Sequence, residues 1–130
     1  DVQERVKLYN AHKELAREQI KKHSTVHKNC IVYDVRNLDP IYVTNRFTIY
    51  ALFPECNISI HIIPGYKGKN TVFAIGKSIP KKECKTDVGE LCLKYGGGGH
   101  DNAGTCQVES AEAESALQEI IKKINGDDEA

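Results

Sequence analysis

The sequence predicts a mixed α/β fold, a central mixed β-sheet with an embedded antiparallel hairpin, flanked by helices and preceded by an N-terminal connector helix. Three observations predict it. Apolar residues recur at helical spacing near both ends of the chain. Residues 30–35, 57–63, 71–79 and 103–109 are β-branched or alternate apolar with polar. "PGYKGKN" (64–70) joins two of these runs at hairpin length, so part of the sheet is antiparallel, while helical segments between the other strands allow parallel pairing.

Taken in order, residues 2–22 read as a helix with Val2, Val6, Tyr9, Ala16 and Ile20 near one face and Leu8 and Leu15 widening it. "HSTVHKN" breaks that pattern, which divides the chain into a connector helix and linker (1–28) and a domain (29–130). "CIVYDV" (30–35) is a strand, "NLDP" a turn, and "IYV" (41–43) too short to assign. Thr44 caps a short helix, "NRFTIYALF", that stops near Pro54. "TDVGELCLKY" (86–95) is a helix whose Asp87 and Glu90 make a capping-box-like start and whose Val88, Leu91, Cys92 and Tyr95 face the core. After the strand 103–109, Ser110 caps a last helix carrying Ala113, Leu117, Ile120, Ile121 and Ile124 on one face, with Gly126 closing it.

Composition narrows the function. The 130 residues suffice for one core, and Lys+Arg and Asp+Glu both number 18, so any phosphate contact comes from a local patch. Five Cys occur at wide spacings without a CxxC, which speaks against a zinc ribbon or dithiol motif and for free thiols in a reducing cytoplasm. No apolar run is long enough to span a membrane. The five His include no HExxH, and the carboxylates are scattered, so no metal site is read from these residues. No glycine elbow or oxyanion signature supports Cys56 or Cys92 as a nucleophile with His100.

The chemistry concentrates at "KYGGGGHDNAGTC" (94–106). Gly96 is explained as a helix C-cap, whereas Gly97, Gly98 and Gly99 exceed that need. Residues without side chains let successive backbone N–H groups converge on an anion, and His100 stands at the exit to donate to phosphate. The order helix–glycines–strand is the reverse of the dinucleotide-binding GxGxxG. "GKS" (76–78) is no Walker A loop, because position 71 is Thr where that motif needs Gly. Lys77 and Ser78, at a strand end, still suit a phosphate or sugar, and Arg46 at a helix start favours an anion.

"GGGH" followed by two residues and "AG" (97–104) resembles the signature of the DHH-associated domain, the C-terminal domain of DHH-family phosphoesterases. That family includes RecJ-type single-strand exonucleases, oligoribonuclease-like phosphatases of short oligonucleotides and cyclic-dinucleotide phosphodiesterases, with polyphosphate hydrolases related. "GKSI" and "VGELCLKYGGGGH" are similar to the family's strand end and its helix into the glycines, and the resemblance covers about residues 30–125. It implies a backbone cradle at Gly97, Gly98 and Gly99, a phosphate or end-nucleotide contact at His100, and a thin wall at Ala103 and Gly104. It also implies a cation at Lys77 where the family often has Arg, a hydroxyl at Ser78, and a weaker transfer to Arg46. The sequence departs from the family in having Asn102 before Ala103. No DHH motif or Asp-rich cluster is present. The resemblance therefore implies a substrate-recognition domain of a manganese-dependent phosphoesterase. Its catalytic domain and metal ligands would lie upstream of Asp1, and the 130 residues alone would bind without hydrolysing. Short single-stranded nucleic acid or a nucleotide phosphate is the implied partner, besides the catalytic domain, and a homodimer is left open. The alternatives are a regulatory or interaction domain whose glycine loop is structural, and an enzyme complete in itself with His100 as acid or base.

Overall fold

The computed structural model describes residues 2–36, 38, 46–65, 69–78 and 85–129, with the side chains of residues 9, 46, 47, 128 and 129 outside that description. The chain runs α1 (Val2–His23), β1 (Ser24–His27), β2 (Cys30–Asp34), α2 (Arg46–Leu52), β3 (Ile58–Pro64), β4 (Asn70–Lys77), α3 (Val88–Lys94), β5 (Gly98–Gly99), β6 (Ala103–Glu109), a 3-10 turn (Ser110–Glu112) and α4 (Ala113–Glu129). The strands form one sheet of six in the order β1-β2-β3-β4-β6-β5. Among the described strands only β2 and β3 pair in parallel, with α2 between them in the chain, and β3–β4 is the antiparallel hairpin. "IYV", the Thr44 cap and Cys84 fall outside the described residues.

Alternation along the strands sorts side chains onto two faces. Cys30, Val32, Ile58, Ile60, Ile62, Phe73, Ile75 and Cys106 point to one side, where Leu91 and Cys92 of α3 and Ile120 and Ile124 of α4 close the main core over them. Ile31 and Tyr33 point to the other, where Ile20 of α1 and Ile49 of α2 complete a smaller core. Each fully buried aliphatic side chain in these layers contributes about 1.5–3 kcal/mol.

Several local expectations are corrected. Residues 24–27, expected as linker, form β1 and pair antiparallel with β2, from Ser24↔Tyr33 to His27↔Cys30. Their side chains show no buried–exposed alternation, since β1 is an edge strand, and that is why the sequence hides it. Only the last turns of α1 dock: Ala16 and Ile20 are buried, while Val2, Val6, Leu8 and Leu15 stay exposed. Ser110 is the first residue of the 3-10 turn that leads into the last helix. Its hydroxyl meets that of Thr71 at 3.1 Å, and α4 begins three residues later. Gly126 does not close α4, which runs on to Glu129. Its φ is not positive and a Cβ there would meet only open space, so the glycine is tolerated on an exposed helix surface at a cost of about 1 kcal/mol against Ala. The start of α3 is as expected, with the Asp87 carboxylate accepting from the Glu90 N–H at 3.1 Å.

Candidate nucleotide site

The glycine run is built from two structures. At the end of α3, the Gly97 N–H donates to Cys92 O (2.9 Å) and the Gly96 N–H to Leu93 O (3.0 Å), a Schellman cap that needs the positive φ of Gly96, +80°. The chain then enters β5, where Gly98 pairs with Thr105 and Gly99 with Gly104. The His100 N–H donates to Ala103 O at 2.7 Å, closing a hairpin around Asp101 and Asn102. Backbones approach so closely here that a Cβ on Gly97 would lie 2.0 Å from Thr105 O.

The sequence predicts converging amides, and the hydrogen bonds show a different arrangement. Gly96, Gly97 and His100 direct their N–H groups to carbonyls of the protein itself. Ladder alternation puts Gly98 in a bonded pair with Thr105 and turns only the Gly99 amide outward from β6. The start of α3 is likewise engaged: Val88 and Gly89 donate to Asp101 O (3.0 Å) and His100 O (2.7 Å). Neither the run nor the helix start is a free nest of successive donors.

What the glycines create instead is a surface. On the face opposite the main core, the row Ile31–Ser59–Gly76–Ala103 crosses the sheet, and the next row runs Tyr33–His61–Ala74–Thr105–Gly98. From β4 outward the side chains become small. Ala74, Ala103 and Thr105 are half-buried or exposed, and together with Gly98 they floor a depression of ≈ 280 Å³. Alternation from Gly98 places the exposed His100 on this same side, beside Ala103. Tyr50 of α2 stands at the other border, its hydroxyl donating to Gly76 O and lying 3.2 Å from Ser59 Oγ. The result is a shelf about two to three strands wide, at 4.7–4.9 Å per strand, between a tyrosine and an imidazole.

The remaining expected residues divide around this shelf. Gly104 lies in its floor. Lys77 pairs with Ile58 and shares the core-facing side of Phe73 and Ile75. Ser78 is buried and continues the ladder through its N–H to Asn57 O (2.8 Å). Arg46 is the first residue of α2, one turn before Tyr50, and its side chain is outside the described set. Cys56 and Cys92, buried to within 1% of full enclosure, are out of reach of any substrate on the shelf. The Cys92–Cys106 hydrogen bond holds the Cys92 thiol below its ordinary value and, with burial, pushes Cys106 well above it. Among the described residues no helix is long and apolar enough to cross a membrane.

No family model matches the chain, and no curated protein matches its sequence. Solved structures do. A pGpG-specific phosphodiesterase, PggH of Vibrio cholerae, shares 49% identity over 98% of this chain, with a TM-score of 0.92. The chain belongs to the DHH-associated domains of DHH-family phosphoesterases. This DHH-associated domain spans 43% of the length of that phosphodiesterase. An exopolyphosphatase-related protein from Bacteroides fragilis matches 86% of the domain and 34% of its own chain (13% identity, TM-score 0.64). The DHH domain of a member of a family of ribosomal proteins matches 91% and 31% (15% identity, TM-score 0.61). At those identities the last two show the shared fold of the DHH-associated domain and nothing more. Tyr50, which the sequence reading misses, carries no motif. Its four-residue spacing from Arg46 on a short helix is the one available signal.

Proposed function

We propose that this domain recognises the terminal nucleotide of a short phosphorylated dinucleotide, of the pGpG type on which the Vibrio cholerae relative is named to act. The observation that carries the reading is the open shelf of Ala74, Ala103, Thr105 and Gly98 with His100 at its edge. A flat, side-chain-poor floor admits a base or sugar to van der Waals contact, and an imidazole at the rim donates a hydrogen bond to phosphate. Gly99, Ala103 and Gly104 keep the wall thin, and the sequence adds a cation at Arg46, the first residue of α2.

Hydrolysis, in this reading, belongs to a catalytic domain of a longer protein. The manganese that the resemblance implies would belong to that catalytic domain, and among the described residues no group of three or more His, Cys, Asp or Glu is placed to hold a metal ion.

The test is titration of the full chain with pGpG at two salt concentrations. His100→Ala is expected to weaken binding roughly 10- to 1000-fold, the few kcal/mol of a charge-assisted contact. Unaltered affinity would favour the second reading, an interaction domain with a structural glycine loop. The Gly96 and Gly97 amides, both engaged within the protein, are the observation on its side.

A further inference from the structure

The turn that carries His100 is held from beneath. All three of its carbonyls accept from the scaffold: His100 O from Gly89 N–H (2.7 Å), Asp101 O from Val88 N–H (3.0 Å) and Asn102 O from Lys77 N–H (2.8 Å). One side-chain contact is added to these. The Lys77 ammonium lies 3.5 Å from Asp101 Oδ2. The Lys77 side chain is 5% exposed and that of Asp101 is 65% exposed. A buried ammonium is stable only beside a compensating group. Strand β4 fixes where this one emerges, on the core side of the sheet next to Ile75 and away from the shelf. An anion lying on the shelf is separated from it by the sheet, and at the sheet's end Asp101 already stands against it.

We propose that Lys77 is a positioning residue. It acts on substrate through Asp101, fixing the His100–Asn102 turn so that the imidazole is presented over the shelf, and it does not touch the phosphate. This assignment rests on the reading of His100 given above. It also accounts for a lysine in place of a planar guanidinium: a single buried point charge suffices to hold one carboxylate oxygen.

The test is a double-mutant cycle in the full chain with pGpG as the probe, joined to amide hydrogen exchange without ligand. Lys77→Gln and Asp101→Asn should each weaken binding by about 3- to 30-fold, and the double variant by no more than the stronger single one. In Lys77→Gln the His100 amide should exchange faster while the Ile60 amide in β3 stays as protected as before, which separates a loosened turn from a loosened fold. Additive losses, with the His100 amide still protected, would overturn the proposal and put Lys77 on the phosphate. His100→Ala without effect on pGpG binding would instead remove the reading beneath it, and the exchange result would still decide whether Lys77 holds the turn.

Discussion

One face of this sheet is treated in two ways. Over β2 and β3, helices α1 and α2 cover it, and the residues beneath are large: Ile31 and Tyr33 are completely buried, and the Tyr33 ring stacks on His61 with centroids 4.9 Å apart. Over β4, β6 and β5 the same face carries Ala74, Ala103, Thr105 and Gly98, which remain open. Large side chains there would need a cover of their own, and small ones leave room for something else. The first half of the face supplies stability and the second half supplies access, on the same rows of the same strands.

The comparison can be broken from either side. The largest expected effect is in the covered half. Ile31→Ala should lower stability by about 2–5 kcal/mol, read from denaturant unfolding, because it opens a cavity beneath α1 and α2. A change below about 1 kcal/mol would show that the two halves do not differ as described. In the open half the balance reverses. Thr105→Tyr should leave stability within about 0.5 kcal/mol yet weaken pGpG binding on the order of tenfold by occupying the shelf, as titration of the folded variant would show. Normal affinity in that variant would move the substrate elsewhere.

The smallest effect sharpens the covered half. Burial holds the His61 imidazole below its ordinary value of 6.5, and its Nε2 is enclosed without a partner. Below pH 6.5 the unfolded chain takes up a proton that the folded chain resists. This contribution to stability is therefore complete above 6.5 and declines as pH falls toward the folded value. His61→Phe keeps a ring against Tyr33 and should flatten that part of the stability–pH curve. An unchanged slope would assign it to another group.

Much of this is legible in the sequence, and what is not has physical causes. The strand 103–109 stands where its alternation puts it, and α3 starts where Asp87 can accept from the Glu90 amide. Those are local signals, a period of two and a capping geometry. Strand β1 is four exposed or half-exposed residues with no alternation of their own; what defines it is its pairing with β2 across the two-residue turn 28–29, which a period-of-two pattern does not register. The glycine run suggests a nest because its amides look free in the sequence. Their partners are the Cys92 and Leu93 carbonyls at the end of α3, where the cap takes up one more glycine than expected, and the β6 ladder. Lys77 and His100 look like neighbours in function and are drawn together at one sheet end, but strand register puts them on opposite sides.

The border strand β5 is two residues long and has no side chains. A bare edge of that length offers too few free donors and acceptors to template the strand of a second molecule. The open half of the face is thereby bordered by a poor template for strand addition, and the protein can keep an uncovered patch of sheet without inviting fibril-like stacking at that margin.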